Sequence, residues 1–169
     1  MAEEIVKKEL SVSVTMSAKI LYDYLVFHAY SSASTILATC MGCFGIIVFA
    51  NAPSADRALY LILGVILVFY TPISLRLQAA KLMQFNETFK KPLDYMMNSE
   101  GITVSQGEES QTVGWDKCIK VVSTRQSIVL YTGKKNASIF PRKQLGDKLP
   151  ALVAVMAENM DPKKIRVRY

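Results

Sequence analysis

Three cysteines and one histidine are the residues best suited to redox or metal chemistry in this chain, and their placement argues against both. Cys40 and Cys43 have the spacing of a thiol–disulfide redox motif, which works through an accessible thiolate. They lie within a long uncharged apolar run, where a thiolate is disfavoured, and read as small side chains facing a helix or lipid. Leu37-Ala38-Thr39-Cys40 has the outline of a lipoprotein cleavage box, but it sits deep inside that run with no signal-like leader before it. Cys118 falls among strand-forming residues and reads as a small core residue. A lone His28 excludes a multi-histidine metal site and suits an interfacial, aromatic-like position. Asp94, Glu100, Glu108, Glu109 and Asp116 are scattered near predicted turns, where solvated carboxylates are ordinary. No Gly-rich phosphate loop, Ser-His-Asp set or zinc-ligand spacing is present. The chain is therefore not expected to be an enzyme, and no catalytic residue, cofactor or metal ligand is assigned.

Basic residues carry the one surface signal. Lys+Arg number 20 against 14 Asp+Glu, for a net charge of +6. Lys134 and Lys135 lie at a predicted turn tip, and Arg142 and Lys143 follow a predicted strand. Lys163, Lys164, Arg166 and Arg168 fill the carboxy-terminal tail. Anionic inner-leaflet lipids attract each such charge by about 1 kcal/mol near the surface. These eight residues are the candidate contacts for a lipid or partner. The plainer alternative is solvated charge with a positive-inside bias. Nucleic acid is not expected, because neither a recognition helix nor an exposed aromatic platform is evident.

The elements that hold these residues follow from where charge is missing. Hydrophobic residues are 51% of the chain and mean hydropathy is +0.22, which argues against disorder. Asp, Glu, Lys and Arg are absent from Ala29 to Ala55 and again from Ala58 to Leu75. The apolar run Ser32–Ala50 spans about 29 Å at about 1.5 Å per residue, close to the ~30 Å core of a bilayer. Ala58–Leu75 is nearly as long, and Pro72 near its end marks a kink or the approach to the interface. Tyr60, Phe69 and Tyr70 suit the two headgroup zones. Two transmembrane helices are expected. Lys7, Lys8 and Lys19 precede the first and Arg76, Lys81, Lys90 and Lys91 follow the second, whereas the short loop Asn51–Arg57 carries only Arg57. Both termini are therefore expected in the cytoplasm, in a multi-pass protein of the inner (plasma) membrane, with no cleavable signal peptide. On that side Asn86-Glu-Thr88 and Asn136-Ala-Ser138 are accidental glycosylation sequons.

Ser34, Ala38 and Gly42 recur at four-residue spacing, with Gly64 as a matching point on the second span. Whether this stripe packs within the hairpin or between copies of a homo-oligomer is open at this level. Neither span contains an ionisable residue of the kind that marks an ion path, so transport by the monomer is not expected.

Around the hairpin the pattern changes. Leu10, Val12 and Val14 alternate with Ser11 and Ser13, predicting a half-buried strand. Ser17 is placed to cap a helix over Ala18–Tyr30, with Ile20, Leu21, Tyr24, Leu25 and Phe27 on one face. Beyond Leu75 the second helix is free to continue through Arg76–Lys91. Short strands follow at Leu93–Asn98, Ile102–Ser105, Ser110–Gly114, Ile119–Thr124, Ser127–Tyr131 and Ala137–Phe140, with a break at Trp115-Asp116-Lys117. Asp147 is the expected N-cap of a last helix with Pro150 in its first turn and Leu149, Leu152, Val153, Met156 and Met160 on its apolar face. Trp115 and Phe140 are expected in the core, and the Leu10–Val14 strand can add to the sheet from the other side of the hairpin. The tail Lys163–Tyr169 is either frayed or an extra edge strand.

This order of elements resembles the YcxB-like family of bacterial membrane proteins. The matching residues are Tyr95 with Gly101-Ile102, then Val113 to Ile119 around Trp115, Ile128 to Tyr131, and Ile139-Phe140-Pro141-Arg142-Lys143. The resemblance implies a pleckstrin-homology-like domain, a bent antiparallel barrel with a carboxy-terminal helix, and it implies no catalytic residues. The expectation is an α+β membrane protein in four parts. Residues 1–30 form a strand and pre-membrane helix, 31–76 the transmembrane hairpin, with spans at about 32–50 and 58–75, 77–160 the cytoplasmic β domain closed by its helix, and 161–169 a basic tail. Its expected role is an anchored adaptor that presents the domain to a protein, a peptide or inner-leaflet lipid. The alternative is a protective, immunity-like protein against membrane-active peptides.

Overall fold

A computed structural model describes residues 9–51, 57–133 and 136–167. Strand β1 (Leu10–Val14) buries Val12 and Val14 and exposes Ser11 and Ser13, as its alternation requires. Helix α1 (Ala18–Tyr30) starts where the Ser17 hydroxyl accepts the Ile20 N–H at 3.3 Å. It ends at an elbow, Ser31-Ser32, that leads into α2 (Ala33–Asn51). Helix α3 (Arg57–Phe85) runs 29 residues, straight past the predicted boundary at Leu75 and with Pro72 inside it.

Helices α2 and α3 pack along a glycine seam. A Cβ on Gly64 would lie 2.8 Å from the Gly42 carbonyl oxygen, and one on Gly42 2.8 Å from Leu67 Cβ. The small-residue stripe therefore serves the hairpin itself, at its Gly42 end, while Ser34 stays exposed. Both helices are long and apolar enough to cross a membrane by length and composition, and only 6% of each apolar window is buried within the chain.

The last turns of α3 do a second job. Ala79 is buried, and Leu82 and Met83 pack on the core beside α1. The chain then forms β2 (Leu93–Met97), β3 (Gly101–Gln106) and β4 (Glu109–Gly114). These make an antiparallel sheet in the order β1-β2-β3-β4, with Leu10 opposite Met97 and Val14 opposite Leu93. The strand before the hairpin thus pairs with the first strand after it. Trp115–Lys117 form a 3-10 turn, and the Trp115 indole donates to the Asn98 carbonyl at 2.8 Å.

A second sheet holds β5 (Lys120–Ser123), β6 (Ser127–Tyr131), β7 (Ala137–Pro141) and β8 (Ile165–Arg166) in the order β7-β6-β5-β8. The tail is an edge strand, and it runs parallel to β5, Val121 opposite Ile165. The other strand pairs of both sheets are antiparallel, as expected of the β domain, and the tail adds one parallel pair at the edge. Between β7 and β8 come α4 (Arg142–Leu145), a 3-10 turn (Gly146–Lys148) and α5 (Leu149–Asn159). Asp147 does not cap α5. It lies inside the 3-10 turn, and α5 grows out of that turn from Lys148, whose backbone is already helical. Leu152, Val153, Met156 and Met160 are buried as their spacing demands, together with Val155. They meet Trp115, Ile102, Ile128, Leu130 and Phe140 in one core, where Phe140 lies edge-on to Tyr95 at 4.7 Å. Cys118 is also buried there, and burial pushes its thiol pKa up, away from the reactive thiolate.

Candidate functional site: a basic concavity at the start of α1

Three long-range contacts bring the end of β7, the β5–β6 turn and the start of α1 together. The Arg142 N–H donates to the Gln126 carbonyl at 2.9 Å. The Gln126 N–H donates to the Asp23 carboxylate at 3.2 Å. The Gln144 amide straps α4 to the β1–α1 junction: its oxygen accepts the Thr15 N–H at 2.8 Å and its nitrogen donates to the Thr15 carbonyl at 2.7 Å. The β5–β6 turn is itself fixed, because Thr124 N–H donates to the Ser127 carbonyl at 2.8 Å and Ser127 N–H to Thr124 Oγ1 at 2.9 Å. Arg142 is half-buried, and its guanidinium donates to the Ser123 hydroxyl.

These contacts enclose a concavity of about 270 Å³ lined by Ser17, Lys19, Ile20, Arg125, Gln126 and the segment Pro141 to Gln144. Four cations meet there: Lys19 from α1, Arg125 from the turn, and Arg142 and Lys143 from α4. No lining side chain is a carboxylate, and the nearby Asp23 is engaged by Gln126. Such a surface can hold an anion, because the Arg125 guanidinium offers a planar fork of donors, Lys19 and Lys143 compact charges, and Arg142 adds its charge while donating to Ser123.

Of the eight basic residues singled out from the sequence, Arg142 and Lys143 stand in this concavity. Lys163 and Lys164 lie on a 3-10 turn and Arg166 on β8, along the far edge of β5, with Lys164 Nζ 3.5 Å from the Cys118 carbonyl. They do not join the site. Lys134, Lys135 and Arg168 lie outside the described residues. Lys19 and Arg125 were not singled out. Arg125 was legible as a basic turn tip between two strands, but nothing local ties Lys19 to it.

Residues 98–155 match the YcxB-like protein family. No curated protein matches the chain. The YcxB-like segment takes in β3 to β7, α4 and most of α5, so it supplies Arg125, Gln126 and Pro141 to Gln144. Ser17 and Lys19 come from outside it. The concavity is therefore completed by the segment that leads into the hairpin.

A roomier cleft of about 540 Å³ lies between the sheets under α1 and α3. Leu21, Leu82, Leu93, Val104 and Ile139 line it, together with Tyr95 and Ser138. Burial pushes the Tyr95 pKa up to about 12. Its lining contains no charged side chain, so it gives room without an electrostatic anchor. Among the described residues no group of His, Cys, Asp and Glu is arranged to hold a metal ion.

Proposed function

We propose that this chain is a membrane-anchored binding protein. In this reading α2 and α3 cross the bacterial inner membrane, both ends of the chain face the cytoplasm, and a pleckstrin-homology-like module presents the basic concavity to an acidic segment of a protein or peptide partner. Apolar side chains that face outward along both helices support the anchor, and the scarcity of Lys and Arg between the two spans supports the sidedness. A four-stranded sheet and a second sheet closed by α5 support the module.

The observation that carries the reading is the meeting of Lys19, Arg125, Arg142 and Lys143 in one concavity. Its place favours a ligand in the aqueous phase. It lies at the start of α1, and that helix's 13 residues separate it from the elbow by about 20 Å. That distance exceeds one Debye length at physiological salt, about 8 Å, so headgroup charge is screened there. An acidic segment in the aqueous phase fits better.

The test uses the full chain in neutral-detergent micelles, titrated with a fluorescent Asp/Glu-rich peptide and followed by anisotropy. Saturable binding that Arg125→Glu with Lys143→Glu weakens at least tenfold supports the reading. Absence of binding, or binding indifferent to the double substitution, overturns it. Release of the chain from membranes by alkaline carbonate overturns the anchor.

A further inference from the structure

The opposite end of α1 carries a second concavity of different chemistry. An open concavity of about 380 Å³ lies between the α1–α2 elbow and the second sheet. His28, Ser31 and Ser32 come from the elbow, and Lys120, Tyr131 and Gly133 from the sheet and the turn after β6. A ring stack sets the wall. His28 lies 6.0 Å from Tyr24 and 6.3 Å from Tyr131, nearly parallel to both. Lys120 Nζ sits 4.9 Å from the centre of the Tyr131 ring, which holds the ammonium at the mouth. Ser31 is tied back to the Phe27 carbonyl at 2.7 Å, and the Ser32 hydroxyl is shared with Ser34 at 2.8 Å.

We infer that this elbow pocket takes the phosphodiester of a phospholipid headgroup. The inference rests on the membrane-anchored reading above, because Ala33, the first residue of α2, follows directly on Ser32. On that reading the pocket stands at headgroup depth, where a phosphate is the commonest anion. Its donors suit one: the Lys120 ammonium supplies charge, the His28 ring an N–H, and Ser32 a hydroxyl. Tyr131 and Tyr24 supply apolar faces beside them, as an interfacial site requires. The basic concavity at the far end of α1 is richer in charge but stands about 20 Å away along the helix. The two ends of one helix thus sort two kinds of anion by depth.

The chain has one histidine, so His28 is its own spectroscopic reporter. Full chain with isotope-labelled histidine is held in neutral-detergent micelles, and the imidazole signals are followed while three probes are added in turn: dihexanoyl-phosphatidylglycerol, inorganic phosphate and dihexanoylglycerol. The expected result is a saturable shift with the phospholipid, at least tenfold weaker in Lys120→Gln and regained in Lys120→Arg, with Trp115 fluorescence unchanged as the sign that the fold is intact. No saturable shift with the phospholipid overturns the inference. An equal response to inorganic phosphate assigns the pocket to a soluble anion and overturns the lipid assignment. An equal response to dihexanoylglycerol reduces it to acyl-chain partition and overturns it too. Retention in carbonate-washed membranes is scored separately. A retained chain whose His28 does not respond loses only this site, whereas a released chain loses the anchor.

Discussion

The hairpin and the β module use the same apolar residue types in opposite ways. In the β module Phe140 and Leu130 are 0% exposed, whereas in α2 Phe44 is 67% and Leu37 63% exposed. The module finishes its packing within the chain. The hairpin buries its glycine seam and turns its large side chains outward. A surface of that kind is stable when something apolar covers it, as lipid does for an anchor. Burial within the chain, rather than hydrophobicity, therefore separates the part that packs on itself from the part whose apolar side chains face outward.

The largest expected effect comes from crossing that divide. Phe140→Ala empties a site in contact with Tyr95 and removes about 3–5 kcal/mol from the β module. Phe44→Ala, which trims an outward side chain of α2, leaves the module's unfolding midpoint where it was. Circular dichroism melts of the full chain in neutral detergent compare the two. Equal losses would break the distinction between the regions.

A second, smaller effect is set by pH. Burial pushes the Tyr95 phenol up to about 12, above its ordinary 10.0. The folded chain therefore holds the Tyr95 proton more tightly than the unfolded chain does. Its stabilising contribution is fully present below pH 10 and declines as pH rises from about 10 towards about 12. The shift corresponds to about 2–3 kcal/mol. Denaturant titrations at stepped alkaline pH should show this fall, and Tyr95→Phe should flatten the part that Tyr95 contributes.

The two regions also differ in how much the sequence reveals. Helix α1 is legible to the residue, Ala18 to Tyr30, because Ser17 caps it and its apolar face repeats with helical period. Strand β6, Ser127–Tyr131, stands out as a short apolar run bounded by turn residues, and the hairpin helices by charge-free length. The continuation of α3 to Phe85 depends on Ala79, Leu82 and Met83 finding the β module, which local pattern leaves open. Helix α4 is not legible in the sequence for a similar reason. Four residues make no period, and its place is fixed by Gln144 reaching Thr15 across 129 positions. Asp147 has the residue type of a cap, but a 3-10 turn already delivers helical backbone to Leu149. The basic concavity was half legible. Arg142 and Lys143 are adjacent in the chain, whereas Lys19 and Arg125 meet them only through the contacts of Asp23 and Gln126.

A smaller loss of stability sharpens the comparison, because it concerns how α4 is held to the β1–α1 junction, the segment that leads into the hairpin. Gln144 makes two hydrogen bonds to the Thr15 backbone, both at the exposed surface. Such bonds contribute about 0.5–1.5 kcal/mol each, and here water can replace them. Gln144→Ala is therefore expected to cost about 1 kcal/mol, well below Phe140→Ala, in the same detergent melts. Its effect on the acidic-peptide titration should be larger than that. The strap sets where α4, with Arg142 and Lys143, stands relative to Lys19 at the start of α1. Releasing it loosens the arrangement of four cations without emptying the core. Peptide affinity should fall several-fold while the melting midpoint moves only a few degrees. If affinity is unchanged, the concavity does not depend on this strap. If stability falls as far as in Phe140→Ala, the junction between β1 and α1 belongs to the core, and the line between the self-packed module and the outward-facing hairpin lies closer to the elbow at Ser31-Ser32.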